Sequence, residues 1–409
     1  MSVVVLQVGQ CGNQIGQKFW NLNLQNSQSL ENCVFNHLDG KLRSVNIDAE
    51  SKVIRRLQKD IKKSNLRENN VVLGKRGCGT NWAIGYHGLK SSGDHLLEGS
   101  LESIRKEVER CDRFTGFLMM HSLSGGTGSG LGSHILECLR DLYPLSFTIS
   151  NVVAPHLSGE SPLQHYNALL TMAHLQSFAD GILLIQNDEV LHQLSKAKKD
   201  SGISFAHMND YIASCMAGLY MPTDTLASKN GFKIGLEPVE CIQAVCPMPP
   251  VKFFTVNQVS KRQETWDSLS KSLLQTVNKY DLDGIPYASL SNLVVARGDK
   301  THSYRYSQEK IVEKIKTSYN CVKWNPFPVD TWTAQDNHSG MKDSSSLTVA
   351  ANSSSVVTYL EHVFDRAKTK YENNAYLHWF WKHGCCKTDF ENAFDTINSV
   401  IDSYKSATS

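Results

Sequence analysis

The sequence predicts an α/β protein whose first part is built on a parallel sheet. Over the first 190 or so residues, short apolar runs alternate with segments of helical spacing. This alternation is typical of a parallel sheet covered by helices on both faces. The middle of the chain mixes strand-like and helical segments, and the tail is helical. Because 409 residues exceed one compact core, the length predicts two or three domains. We place the division into parts at residues 1–187, 188–355 and 356–409.

Five short apolar runs predict the buried strands of the first part. They are "VVVLQV" (3–8), "VNI" (45–47), "GFLMMHS" (116–122), "FTISNVVA" (147–154) and "GILLIQ" (181–186). The segments of helical spacing between them are "NQIGQKFWNLNLQ" (13–25), "EGSLESIRKEVERC" (98–111), "LGSHILECLRDLY" (131–143) and "YNALLTMAHLQSF" (166–178). Sheets of this kind bind ligands at the carboxyl ends of their strands. The loops that follow these strands are therefore the expected site.

The middle part is expected to contain a helix around 206–219 and strands at "FFTV", "NLVVA" and "LTVAA". The tail segment "DFENAFDTINSVIDSY" (389–404) places its apolar residues on one helical stripe. We interpret that stripe as packing on the body of the protein. The basic run "KVIRRLQKDIKK" (52–63) is interpreted as a solvated helix face, with a surface for an acidic partner as the alternative.

Composition excludes several functional classes. A formal net charge of +2, from 42 basic and 40 acidic residues, gives no argument for nucleic acid or an anionic membrane surface. No secretory start or long apolar segment is visible, so we expect a cytoplasmic protein with reduced thiols. The eleven cysteines form no CxxC pair, and the adjacent Cys385 and Cys386 lack the spacing of a structural zinc site.

The glycine-rich stretch "HSLSGGTGSGLGSHI" (121–135) lies where a predicted strand gives way to a helix. Bare backbone allows close approach of a ligand, and a helix N-terminus favours an anion such as phosphate. Leu131 stands where a Walker loop requires lysine, and no GxGxxG register fits. A glycine-rich packing turn is the alternative for one such loop taken alone. Two further loops, "QVGQCGNQIG" (7–16) and "RGCGTNWAIG" (76–85), favour a ligand site.

Together these loops resemble those of the tubulin superfamily. "GGTGSG" is the tubulin signature, and "VGQCGNQIG", "NIDAE" and "GTNWAIG" resemble the other nucleotide loops. Further matches follow in order along the chain at "HYNALLTMAHL", "ARGD", "KIKTSYNCVKWNPF" and "NAYLHWFW". The resemblance implies a parallel-sheet GTPase domain of tubulin type, an α+β intermediate domain and C-terminal helices. It also implies GTP or GDP and Mg²⁺ as ligands.

The resemblance assigns roles to particular residues. Asp48 and Glu50 match the acidic loop that holds the magnesium shell, and Phe205 replaces the usual base-stacking tyrosine. Asn187 and Asn209 match the asparagines that read the guanine edge. The implied nucleotide contacts are Gln10, Cys11, Gln14, Gly79, Thr80, Asn81, Ser122, Gly125, Gly126, Thr127, Gly128, Asn187, Phe205 and Asn209.

In tubulins, hydrolysis is completed by an acid of the next subunit in the filament. Glu240, in "LEPVECIQ", stands at that position, with Glu237 as the competing residue. A carboxylate there could orient water towards the γ-phosphate of a neighbouring subunit. Whether this chain hydrolyses GTP stays open at the level of sequence.

Departures from the common pattern point to a rarer branch of the family. The connection after the first helix and the segment 253–270 are shorter than in conventional tubulins, and "DSYKSATS" ends the chain without an acidic tail. Thr80 also stands where asparagine is usual. "IRKEVERCDRFTGF", "TNWAIGY" and "ISFAHMND" are similar to delta-tubulin, while the shortened segments leave zeta-tubulin equally open and epsilon-tubulin less so.

This branch implies a cytoskeletal GTP-binding protein of centrosomes, centrioles or basal bodies. It would act in microtubule organisation, centriole triplet or basal appendage assembly and ciliogenesis. The implied partners are other tubulins or microtubules and centriolar or basal-body proteins. A tubulin-fold structural interaction protein without hydrolysis is the first alternative. A dinucleotide-dependent oxidoreductase ranks far below, because no catalytic His–acid or Tyr–Lys constellation accompanies the glycine loops.

Overall fold

A computed structural model describes residues 2–25, 34–52, 54, 65–88, 95–159, 161–197, 202–223, 237–281, 283–341 and 344–408. The described chain divides into two compact units. The first comprises Met1–Gln17, Cys33–Asp188 and Tyr359–Asp402, and the second comprises Lys18–Asn32, Glu189–Thr358 and Ser403–Ser409. The basic run 52–63 lies almost wholly outside the described residues. The three-part division remains a prediction.

The first unit is built on six parallel strands in the order β3-β2-β1-β4-β5-β6. The strands are β1 Ser2–Val8, β2 Ser44–Asp48, β3 Val71–Leu73, β4 Phe114–Ser122, β5 Phe147–Ala154 and β6 Gly181–Gln186. The central strands are buried because helices cover a parallel sheet, and Val3, Val4, Val5 and Leu6 have no exposed surface. The five predicted strands and the α/β class are confirmed.

The helices of the first unit include all four predicted from spacing. They are α1 Gly9–Gln25, whose C-terminal part belongs to the second unit, α2 Trp82–His87, α3 Leu96–Glu109, α4 Gly132–Leu142 and α5 Gln164–Phe178. The tail adds three helices, α11 Ser355–Glu372, α12 Leu377–Trp381 and α13 Lys387–Thr408. The first residues of α11 and the last residues of α13 belong to the second unit. The apolar stripe of α13 is buried, as expected: Phe390, Ile397 and Tyr404 are 0% exposed.

The second unit contains a mixed sheet of four strands in the order β7-β10-β8-β9. The strands are β7 Phe253–Arg262, β8 Ser289–Arg297, β9 Val329–Ala334 and β10 Ser344–Ser353. β10 pairs antiparallel with β7 and β8, while β9 runs parallel to β8. The remaining helices are α6 Asn187–Ala197, α7 Phe205–Tyr220, α8 Glu240–Val245, α9 Trp266–Leu274 and α10 Tyr304–Ser318.

The "ARGD" segment is a structural junction of this unit. The Arg297 guanidinium is fully buried and donates to the backbone carbonyls of Gly218, Met221 and Pro222 at the end of α7. The Asp299 carboxylate accepts hydrogen bonds from the backbone of Ser303 and Tyr304, at the start of α10. One turn therefore caps one helix at its C-terminus and another at its N-terminus.

Replacing Arg297 by methionine should lower the free energy of unfolding by about 3 kcal/mol or more, because buried carbonyl groups lose their donors. Denaturant unfolding of the full chain measures this loss. Arg305, an exposed residue, supplies the control, and Arg305→Met should change stability by less than about 0.5 kcal/mol. Equal losses in both variants would contradict the capping role.

Candidate nucleotide-binding site

Three glycine-rich loops of the first unit meet at the carboxyl edge of its sheet. A Cβ atom added to Gly9 would lie 2.9 Å from the backbone nitrogen of Gly128. One added to Gly126 would lie 2.7 Å from Cys78 Cβ. Contacts this close require bare backbone. The structure therefore brings together the loops that begin at residues 7, 76 and 121.

Several of the glycines serve packing between chain segments. A Cβ at Gly12 would lie 2.0 Å from the Met120 carbonyl oxygen, and a Cβ at Gly130 would lie 2.1 Å from that of Trp82. Gly79 differs, since its added Cβ would have only one neighbouring atom, 4.0 Å away on Ile84. Gly79 instead has φ +54°. It supplies a left-handed turn at an exposed point of the second loop.

The third loop continues into a helix N-terminus. Gly126–Leu131 forms a wide π-helical turn that passes directly into α4. The N–H groups of a first helical turn have no acceptor within their own helix, and the helix dipole is positive there. Thr127 and the preceding Gly125 are half-buried. This geometry suits the binding of an anion by the backbone.

The buried His121 side chain fixes the third loop through hydrogen bonds. Its imidazole is 1% exposed, lies 2.8 Å from the Gly128 carbonyl oxygen through Nδ1 and 2.7 Å from Ser150 Oγ through Nε2. Burial lowers the pKa of His121 to about 4, so the ring is neutral at pH 7. A carbonyl can only accept, so Nδ1 carries the proton and Nε2 accepts from the hydroxyl.

Asn167 joins the second and third loops through one amide. Its side chain is 0% exposed and donates to the carbonyl oxygens of Thr80 and Ser124, each at 2.8 Å. Its own oxygen accepts from the Trp82 backbone at 3.0 Å. This residue lies within the segment "HYNALLTMAHL", and the sequence gives it no role because its partners are backbone atoms remote in sequence.

A second buried amide fixes the first loop. The Asn13 side chain is 0% exposed and donates to the carbonyl oxygens of Gly9 at 2.9 Å and Ile47 at 3.0 Å. It accepts from Asn46 Nδ2, which also donates to Gln7 Oε1. These contacts connect the start of α1 with β1 and β2. Asn13 therefore positions the first loop through the hydrogen bonds of its buried side chain.

The predicted contacts beside these loops keep accessible surface. Gln10 is exposed, and Cys11, Gln14 and Ser122 are half-buried. Desolvation raises the pKa of the Cys11 thiol to about 12. At neutral pH the thiol is therefore uncharged and adds no negative charge where a phosphate is expected to bind.

Thr80 and Asn81 have different local roles. Gly79 and Thr80 both have positive φ, and the Asn81 N–H bonds the Cys78 carbonyl at 3.0 Å, which makes a tight turn of the I′ kind. Asn81 caps α2 by accepting from the Ala83 backbone and donates to the Trp379 carbonyl. Asn81 is 2% exposed. Contact of these residues with terminal phosphates remains a prediction.

The acidic loop after β2 carries a carboxylate suited to a cation. Asp48 is 3% exposed, and its Oδ2 has no hydrogen-bond partner among the described residues. Burial, with the nearby Glu50 charge, raises the pKa of Asp48 to about 6. Glu50 is exposed, and its carboxylate lies against Gly77 of the second loop. The Asp48 Oδ1 atom accepts a hydrogen bond from the Glu50 backbone at 3.2 Å. A carboxylate with one unpaired oxygen among the described residues, beside an exposed second carboxylate, fits Mg²⁺, which prefers oxygen ligands and retains water.

The residues predicted to read the base lie at two helix starts. Asn187 is half-buried and opens α6, directly after β6 in the first unit. In the second unit Phe205 opens α7 and is 56% exposed. Asn209, half-buried, follows one turn later on the same helical face. An exposed aromatic ring next to an amide suits recognition of a base.

The two candidate catalytic acids differ in accessibility. Glu240 is the first residue of α8 and is half-buried, whereas Glu237 is 8% exposed. Glu240 Oε2 lies 3.4 Å from the Glu237 backbone nitrogen. Only a side chain with accessible oxygen can act on another subunit, so the geometry favours Glu240 over Glu237.

Comparison with known proteins agrees with this architecture. Residues 2–195 match the model of the Tubulin/FtsZ family, GTPase domain. The chain is 28% identical to the tubulin delta chains of Homo sapiens and Mus musculus, with 99% of each chain covered. It is also 28% identical to the tubulin beta chain of Pneumocystis carinii, over 98% of this chain and 95% of that one. Among the described residues, no helix combines the length and apolarity needed to cross a membrane.

Asn167→Asp should destabilise the protein by about 2–4 kcal/mol and weaken binding of any ligand held by the two loops. The aspartate keeps an acceptor for Trp82 but loses both donors and adds a buried charge. Denaturant unfolding and nucleotide titration measure the two effects. Asn373→Asp, at an exposed position, should leave both unchanged. Normal stability in Asn167→Asp would refute the fastening role.

Thr80→Asn should stabilise the protein by about 0.5–1 kcal/mol. Asparagine tolerates the left-handed conformation better than a β-branched residue, and the exposed position makes no packing demand. Thermal unfolding measures the gain, and Thr80→Gly should give a gain of the same sign. Thr80→Val, which keeps the branching, should give none. A stabilised valine variant would exclude backbone strain as the cause.

Asp48→Asn should raise the free energy of unfolding at pH 7 without Mg²⁺ by about 1–3 kcal/mol, because it removes a buried charge. The folded-state pKa of Asp48, about 6, lies above its unfolded value, so the wild type loses stability as pH rises through 4–6. The variant's advantage should therefore vanish near pH 4. Mg²⁺ should stabilise the wild type and not the variant.

Glu50→Gln is the matched control, since it neutralises an exposed carboxylate in the same loop. It should give a much smaller gain in Mg²⁺-free buffer. Denaturant unfolding between pH 4 and pH 7 distinguishes the two variants. A pH-independent effect of Asp48→Asn would show that burial of its charge is not the cause.

Proposed function

We propose that this chain is a delta-type tubulin that binds GTP or GDP, because its residues 2–195 match the GTPase-domain model of the Tubulin/FtsZ family. The observation that carries the proposal is the meeting of three glycine-rich loops at one edge of the sheet. Asn167 fastens two of them, and Asn13 holds the third. Such a fixed arrangement of backbone and helix N-terminus suits a phosphate chain.

The proposed nucleotide contacts divide by chemistry. Gln10, Cys11 and Gln14 meet the phosphates and the guanine side from α1. Gly79, Thr80 and Asn81 approach the terminal phosphates, and Ser122 with the backbone of Gly125–Gly128 holds the α- and β-phosphates. Asn187, Phe205 and Asn209 select and stack the base. None of these residues is Lys or Arg, so backbone amides and the helix dipole carry the anion binding.

Asp48 and Glu50 would hold Mg²⁺, directly or through water. The support is the Asp48 Oδ2 atom, which has no hydrogen-bond partner in the part of the chain that the structure describes, beside an exposed second carboxylate. When bound, the ion would neutralise phosphate charge. Asp48 itself must be ionised for this role, so proton binding and cation binding compete at one carboxylate.

If hydrolysis occurs, it would be completed at a contact between subunits. Glu240, which is half-buried, would act on the nucleotide of a neighbouring tubulin by orienting water through its carboxylate. Other tubulins or microtubules are accordingly the proposed partners. The assignment to delta type draws on the tubulin delta chains that align with 99% of this chain. A delta-type tubulin would act at the centriole or basal body. Its proposed roles there are triplet or appendage assembly and ciliogenesis.

Nucleotide extraction from purified full-length protein tests the binding proposal. Guanine nucleotide in about 1:1 ratio to protein is expected, with guanosine preferred over adenosine compounds in exchange. Asn209→Ala should reduce this preference without altering stability by more than about 1 kcal/mol. A folded protein with no bound nucleotide and no preference for guanosine compounds would overturn nucleotide binding and leave the structural interaction protein as the function.

Microscopy of the tagged protein in a ciliated cell tests the place of action separately. Concentration at basal bodies is the expected result. Uniform decoration of cytoplasmic microtubules would overturn the centriolar role while leaving the nucleotide proposal intact.

A further inference from the structure

Three potential metal ligands from two distant parts of the chain meet at the end of α2. His87 is the last residue of that helix, Cys385 lies in the turn between α12 and α13, and Asp389 is in the first turn of α13. Their ligating atoms all lie within 4.8 Å of one another. Within the described residues, this is the one group of three or more such side chains close enough to share an ion. All three residues belong to the first unit, and none has a proposed role in nucleotide binding.

The backbone conformation around the cluster brings these three side chains close together. Gly384 has φ +104°, and an added Cβ would lie 3.1 Å from His87 Cγ. Glycine therefore lets the turn pass against the imidazole and brings Cys385 beside it. The Asp389 carboxylate is oriented as well, because its Oδ2 accepts from the Cys386 backbone at 2.8 Å. Outer hydrogen bonds of this kind fix metal-binding carboxylates in position.

The chemistry of the donors selects the type of ion. Imidazole, thiolate and carboxylate together suit Zn²⁺ and related ions, and do not suit Mg²⁺ or Ca²⁺. Tetrahedral ligands around zinc lie about 3.4–3.8 Å apart. The observed limit of 4.8 Å therefore requires a closure of about 1 Å, which side-chain rotation provides.

Accessibility also suits an ion that enters from solvent. Cys385 is 5% exposed, whereas His87 is exposed. A neighbouring cavity of about 210 Å³ is lined by His87 and Asp389. The cavity has room for a water molecule as an additional ligand.

We propose that His87, Cys385 and Asp389 bind one zinc-type divalent ion, with water completing the coordination. As the sulfur–metal bond forms, the Cys385 thiol releases its proton to solvent. The ion ties the end of α2 to the turn that precedes α13. The role is structural, since it braces the helix that follows the second glycine-rich loop. The spacing rule for zinc sites misses such a set, because its ligands come from separate parts of the chain.

Cobalt titration of the full-length protein tests the site, because Co²⁺ bound to a thiolate gives a charge-transfer band that oxygen ligands do not give. One equivalent of Co²⁺ should produce this band together with visible d–d bands, and an equivalent of Zn²⁺ should remove both. Cys385→Ser should abolish the charge-transfer band. His87→Gln, at an exposed position, should weaken Co²⁺ binding roughly tenfold or more.

Cys386→Ser is the matched control, because this neighbouring cysteine is exposed and lies outside the cluster. It should retain the band, and the thermal unfolding midpoint should verify that each variant is folded. Absence of a thiolate band at saturating Co²⁺ would overturn the proposal. A band that survives Cys385→Ser, or disappears in Cys386→Ser alone, would equally overturn it. The readout is a sulfur–metal bond and does not depend on nucleotide.

Discussion

The candidate nucleotide site depends on backbone segments packed so closely that they admit no side chain between them. The loops that begin at residues 7, 76 and 121 touch through Gly9, Gly126 and Gly128 at distances no Cβ atom could occupy. Such packing buries peptide groups, and buried peptide groups need partners. Asn167 supplies three hydrogen bonds at that point, to Thr80, Ser124 and Trp82. Without that amide, the carbonyl groups of Thr80 and Ser124 would lose these hydrogen bonds.

The charge of the site follows from the same arrangement. His121 beneath the third loop and Cys11 beside the first are both held neutral at pH 7 by desolvation. The proposed phosphate contacts include no cationic side chain, so attraction for an anion comes from N–H groups and the helix dipole. The negative charge of the buried Asp48 carboxylate opposes that attraction unless a cation or a proton neutralises it. The proposed metal ion would therefore remove this opposing charge and so complete the electrostatics of the site.

The sequence predicted the parts of this structure that depend on local pattern. The apolar runs that became β1, β2, β4, β5 and β6 were recognisable because a buried parallel strand is almost continuously apolar. β3 and β9 were not predicted, since β3 has three residues and β9 alternates polar with apolar positions. Glycine spacing identified the loops, but could not distinguish the packing glycine Gly12 from the turn glycine Gly79. That distinction depends on which atoms lie opposite each residue.

The buried side chains that fix the loops could not be predicted from the sequence, because their role also depends on which atoms lie opposite them. The side chains concerned, those of Asn167, Asn13 and His121, form hydrogen bonds with backbone oxygens. Every residue has a backbone oxygen, so the sequence does not show which one is the partner. Asn81 shows the limit most clearly. Its motif implied a phosphate contact, while its side chain caps α2 and donates to the Trp379 carbonyl. Whatever fixes α2 relative to the C-terminal helices must therefore also fix the turn at Thr80. An ion bound by His87, Cys385 and Asp389 would act at the other end of this six-residue helix, and so would hold the nucleotide loop in place without touching the ligand.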